Sequence, residues 1–169
     1  MATVNVERFL LAQDGQHPTH QANTYKSAIA ELVAGEKESH WMWYVFPQIQ
    51  LGSSSTAREF AITSMAEVVA YLQHPILGSR YEECCELVLK HAKKESTLWK
   101  GVQQVLGSAM PVDSSKFRSS ITLFGEAATI CPALGHPRVA EIWRAFSTGG
   151  LKACPKTLDF IVESPPWCP

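Results

Sequence analysis

Two clusters in the 169-residue sequence have residue types and spacing that could do chemistry. The first is His40-Trp41-Met42-Trp43-Tyr44-Val45-Phe46-Pro47-Gln48, with four aromatic residues in six positions. Indole and phenol rings offer flat faces to a heterocycle. The Trp N–H groups and His40 add a few polar handles, the usual make-up of a small-molecule pocket. The second cluster runs from Asp113 to Phe124, where Arg118 and Thr122 share a face at i, i+4 beside Lys116 and Ser119. With Asp113 or Ser114 as N-cap, free backbone N–H groups, two cations and several hydroxyls suit an anion. If the clusters converge, Trp41, Trp43 and Tyr44 stack a ring, flanked by Gln48 and Arg58. Lys116, Arg118, Ser119 and Thr122 then take phosphate or ribose oxygens. His40 is the candidate acid/base, and Asp113 or Glu59 the candidate general base for water. The structural alternative is a core plug of aromatics with a satisfied buried histidine, and a capped helix with a solvated charged face.

Other chemistries lack their motifs. There is no Walker loop, G-x-G-x-x-G, H-E-x-x-H, G-x-S-x-G or C-x-x-C, so no cofactor and no metal is expected. His17, His20 and His136 flank prolines or turns without ligand spacing. His74-Pro75 reads as a helix end, its imidazole near the last carbonyls. Arg58 and Glu59 read as a surface pair in a short helix. Fifteen Lys and Arg against sixteen Asp and Glu give a net charge of −1, which provides no field for duplex nucleic acid. No apolar run approaches the roughly 20 residues that span a bilayer. The N-terminal run Phe9–Ala12 is too short for a secretory signal, so a cytoplasmic protein is expected. Its five cysteines are then reduced thiols, mostly buried small hydrophobes. Nothing in the sequence sets an oligomeric state.

The elements that must position these clusters are helical. Tyr25, Ile29, Leu32 and Val33 fall at i, i+4, i+7, i+8, and Gly35 stops that helix. Ser64 with Glu67 reads as a capping box ahead of Met65, Val68, Val69 and Leu72, a helix that Pro75 ends. Further helices are predicted over Ser79–Lys93, from Ser96 or Thr97 to Gly107, over Ser114–Ala128, from Pro137 to Phe146 and over Pro155–Glu163. Phe46 precedes a proline, which biases it to extended geometry. An extended segment turns His40, Met42, Tyr44 and Phe46 one way and Trp41, Trp43 and Val45 the other, so it must thread between helices. The reading is a mainly α fold: one domain, residues 1–163, of about seven or eight helices around an aromatic-rich extended segment, with a Pro-rich tail over 164–169.

At this point the chain resembles the bacterial and fungal domain-of-unknown-function family numbered 1810. The resemblance rests on Tyr25 through Gly35, on Ser39 to Gln48 with its H-W-M-W-x-x-F-P-Q run, on His74-Pro75, Leu77-Gly78 and Arg80, and on Asp113, Lys116 and the R-S-S-x-T-L-F run from Arg118 to Phe124. It implies a single helical domain and no reaction. The stretch Gly107–Val112 departs from the family pattern by lacking acidic residues. In general layout, though in no motif, the chain is also faintly similar to NADAR (YbiA-like) proteins, helical domains linked to ADP-ribose and N-glycoside hydrolysis. These resemblances rank the functions. First is an enzyme or binding domain for a phosphorylated, ring-bearing small molecule of the nucleotide or ADP-ribose class. A non-catalytic interaction domain comes next. A cofactor-free tailoring enzyme with an apolar aromatic pocket is the third.

Overall fold

The apolar periodicity becomes ten α-helices among residues 4–168, the residues that the computed structural model describes. They are α1 (Glu7–Gln13), α2 (Tyr25–Ala34), α3 (Met42–Val45), α4 (Ser55–Glu59), α5 (Met65–Gln73), α6 (Leu77–Ala92), α7 (Leu98–Gly107), α8 (Val112–Ile130), α9 (Pro137–Thr148) and α10 (Pro155–Glu163). A 3-10 turn over Pro132–Leu134 leads into α9. The strand content among the described residues is one parallel bridge between Ile49 and Ile62. The helices beyond the expected seven or eight are short: α1, α3 and α4 have seven, four and five residues.

Local chemistry starts and stops the longer helices. The hydroxyls of Thr24, Ser64 and Thr97 accept the N–H three residues on, which satisfies one orphan donor each. Gly35, at φ 85°, closes α2 in the left-handed region that costs a glycine nothing. Ser64 caps α5 as expected, but the Glu67 carboxylate reaches past it to the Thr63 N–H (2.6 Å) and pairs with Arg8 (2.7 Å). His74 ends α5 as expected, its N–H donating to Ala70 O and Tyr71 O, but its imidazole turns away from those carbonyls. Its Nδ1 accepts from Ile76 N–H and Leu77 N–H, at the start of α6.

The axis of the domain is α8. Phe117, Ile121, Leu123 and Phe124 on it are fully enclosed. Each such side chain contributes about 1.5–3 kcal/mol of burial. α9 lies along α8 so closely that a Cβ on Gly125 would stand 2.3 Å from Trp143 Cβ. α5, α7 and α10 pack on α8 as well, and α6 pairs with α7. The expected N-cap is corrected here. α8 begins at Val112, behind Pro111, so Asp113 and Ser114 lie inside its first turn and are both buried.

The aromatic segment is not extended. Residues 42–45 make one helical turn, and the pre-proline restriction acts only at Phe46 (φ −119°, ψ 72°), where the turn ends. Trp41, Met42, Tyr44, Val45 and Phe46 are all buried and Trp43 alone of the run is half-buried, a pattern that neither face of an alternating strand gives. The thiols also depart from expectation: Cys131 and Cys168 form a disulfide that ties the tail to the end of α8.

Candidate functional site

The aromatic segment and the start of α8 meet at one place. A pocket of about 140 Å³ lies between α3, residues 48–52 and the first turns of α8. Its walls are Trp43, Gln48, Leu51, Gly52, Val112, Ser115 and Lys116. Trp43 is half-buried, and the Lys116 ammonium stands 4.0 Å from the centre of its ring. That cation–π contact brings the two side chains together at the pocket wall. Gln48 is positioned by the backbone: its C=O accepts from Ile62 N–H at 2.9 Å, within the Ile49–Ile62 bridge. The residue is 4% exposed, and its Oε1 is a buried acceptor without a protein partner.

Behind the pocket is a charged group that the residue spacing did not reveal. Asp113 Oδ1 accepts from Lys116 Nζ at 2.8 Å, and Oδ2 lies 2.6 Å from Lys37 Nζ. The second contact is an ion pair without a well-aligned N–H. The carboxylate and Lys37 are each 2% exposed in their side chains. Lys37 is held further by donating to Ser39 O, and its ammonium lies 5.1 Å from the Trp41 ring centre. Two ammoniums and one carboxylate leave this group with one net positive charge. Lys37 could have been found from sequence only as a lone cation three residues before the aromatic run.

The other candidates lie elsewhere. Trp41 and Tyr44 are enclosed core residues. The Trp41 indole N–H donates to Glu31 (2.8 Å), and the Tyr44 hydroxyl donates to Asn23 O (2.5 Å). Glu31 also accepts from Ser39 Oγ and from the N–H groups of Glu38 and Ser39. Burial alone would raise its pKa, but the bonds from Ser39, Glu38 and Trp41 outweigh it and hold the carboxyl below its ordinary value. His40 is exposed, not a pocket or core histidine. Arg118 faces a separate cleft of about 240 Å³ beside Trp99, where its guanidinium donates to Lys152 O (2.7 Å) and Ala153 O (2.9 Å). Ser119 pairs with Thr157 (2.8 Å), and Thr122 Oγ1 donates to Arg118 O and accepts from Cys154 N–H. These three groups hold the 152–157 segment against α8.

Arg58 and Glu59 do not pair. Arg58 donates to Ser53 O. Glu59 faces His17 and His20, two histidines whose sequence spacing shows no ligand relation. Two larger clefts have no chemistry of this kind. One, of about 470 Å³, is lined by charges of α6 and α9 such as the paired Glu86 and Arg138; the other, of about 540 Å³, lies between α5 and the tail.

The model of the family described as "Protein of unknown function (DUF1810)" matches residues 3–150. Among solved structures, the conserved hypothetical protein Rv1873 from Mycobacterium tuberculosis is similar, with a TM-score of 0.71 and 34% identity over 92% of this chain and 95% of that one. No curated protein matches. The likeness to NADAR proteins has no counterpart among these matches. No helix among the described residues is long and apolar enough to cross a membrane.

Proposed function

Because the chain belongs to the DUF1810 family of proteins of unknown function, we propose from its own geometry that it binds a small acidic ligand with a single ring in the pocket of Trp43, Gln48 and Lys116. The unpartnered Gln48 Oε1 carries this reading. A buried carbonyl left without a donor costs about 1–3 kcal/mol, and a ligand N–H returns that energy as binding. The Trp43 edge, Leu51 and Val112 cover the body of a ring. The net positive charge of Lys37, Asp113 and Lys116 favours an anionic substituent at the mouth, beside Ser115.

Size narrows the class. The pocket, about 140 Å³, is close to the roughly 150 Å³ cavity that holds benzene. A nucleobase or nicotinamide ring fits; a whole ADP-ribose does not. A mononucleotide, ring inside and phosphate at the mouth, is the ligand of the phosphorylated, ring-bearing class that matches best. The reading is of binding, not catalysis. No carboxylate or imidazole lines the pocket, and Asp113 has both oxygens against ammoniums.

The test is tryptophan fluorescence and amide NMR of the full chain, titrated with uridine, cytidine and nicotinamide mononucleotides. At least one should perturb the Trp43 indole and the Gln48 side-chain amide. Gln48→Met should then weaken binding about tenfold or more without loss of stability, since it removes an unpaired acceptor at similar volume. Lys116→Gln should weaken it with a smaller salt dependence. If no mononucleotide moves these signals, or if Gln48→Met binds as wild type does, the proposal fails.

A further inference from the structure

We infer that His17, His20 and Glu59 form a binding site for one divalent zinc-like ion, independent of the ring pocket. One donor atom from each lies within 4.8 Å of the other two. His17 Nε2 is 3.4 Å from Glu59 Oε1, and His20 Nδ1 is 3.7 Å from Glu59 Oε2. Bonds of about 2.0–2.1 Å to a tetrahedral zinc place neighbouring ligand atoms about 3.4 Å apart. Each histidine thus stands near that spacing from one of the two Glu59 oxygens, and Glu59, 38% exposed in its side chain, has room to turn a single oxygen toward both.

The imidazoles are built in, not loose on the surface. His17 is buried, with its ring against Phe60 (5.3 Å) and against His20 (5.2 Å). The His20 ring packs edge-on to Phe60 (5.0 Å) and Tyr44 (6.0 Å). The His17 N–H donates to Leu11 O at the end of α1, and Pro18 stiffens the step to Thr19. Aromatic packing thus sets the ring planes before any ion arrives, as a preorganised site requires.

Thr19 is the outer partner. Its hydroxyl is 3.3 Å from His17 Nδ1 and 2.9 Å from His20 Nδ1. Metal on His17 Nε2 moves the ring proton to Nδ1, where Thr19 Oγ1 accepts it. The long contact from Thr19 N–H to that nitrogen (3.3 Å) is given up, and the Thr19 hydroxyl leaves His20 Nδ1, whose one lone pair goes to the ion. Of the two arginines beside Glu59, Arg8 donates to its backbone oxygen and pairs its charge with Glu67, while Arg58 donates to Ser53 O. Two imidazoles and one carboxylate with a solvent-facing side leave a fourth position for water. The ion would clip residues 17–20 to the end of α4.

The test uses untagged, chelator-stripped protein titrated with Zn2+ by calorimetry and with Co2+ by visible absorption. Wild type and Cys154→Ser should each bind one ion, with Co2+ bands of tetrahedral intensity. His20→Ala and Glu59→Gln, at side chains 21% and 38% exposed, should each lower affinity by more than the roughly 10–100-fold that loss of an outer partner costs. Ring 15N NMR of wild type, which needs no variant, should show Zn2+ shifting His17 and His20 while His74 and His136 stay in place. Absence of stoichiometric binding, wild-type affinity in both variants, or shifts at His74 or His136 instead would each overturn the site. Mononucleotide binding at Trp43 is read by separate signals, so either idea can fail alone.

Discussion

Replacing Asp113 by asparagine should cost this domain about a fifth or more of its stability. Lys37 is 2% exposed, and Asp113 is the carboxylate that compensates its ammonium, at 2.6 Å. Removing one partner of such a buried pair costs about 3–5 kcal/mol, because the remaining charge stays out of water. A domain of this size has about 5–15 kcal/mol in total. The corresponding fall in melting temperature is roughly 6–20 °C for a chain of this length. Lys37→Met should cost less than Asp113→Asn, since Lys116 still neutralises the carboxylate at 2.8 Å. The double variant Lys37→Met/Asp113→Leu removes the charges together. It should recover at least about 2 kcal/mol over Asp113→Asn, since an apolar replacement of a buried pair is often neutral or better. Lys116, 13% exposed in its side chain, can turn its ammonium to solvent. Urea unfolding followed by far-UV circular dichroism gives all four stabilities. A double variant that costs the sum of the two single changes would refute the coupling.

Three further predictions rest on other elements. Glu31→Gln should cost about 1 kcal/mol near neutral pH, the half-buried site being partly screened. Glu31 lies below its ordinary value of 4.5 when folded, so its contribution is full above that pH and fades as acid protonates it. Wild type and variant should therefore converge in stability at low pH, and a gap that widens in acid would contradict the hydrogen-bond account. Gly125→Ala should destabilise by about 1–3 kcal/mol, because the new methyl meets Trp143 Cβ at 2.3 Å; a neutral Tm would show that α9 can shift. Non-reducing native protein should show one readily labelled thiol, Cys154. Burial pushes the thiols of Cys84 and Cys85 upward, and Cys131 is bonded to Cys168. Peptide mapping that finds Cys131 free, or alkylation of Cys84 in the folded state, would contradict this.

The sequence by itself determined the helical class and most helix limits. Ser64, Thr97, Gly35, Pro75 and Pro137 act on their own few neighbours, so their signals are local and readable. The inward stripe Phe117, Ile121, Phe124 was readable for the same reason. The turn at α3 was not, because a short apolar run carries both periods and only its packing partners choose between them. The polar groups show the same limit. Arg118 is spent on carbonyls 34 and 35 residues away, and Lys37 meets Asp113 across 76 positions. Glu59, 39 residues beyond His20, meets His17 and His20. Which charges remain available to a ligand depends on which distant partner packing supplies. A buried hydrogen bond or ion pair is decided by the assembled core, not by residue spacing.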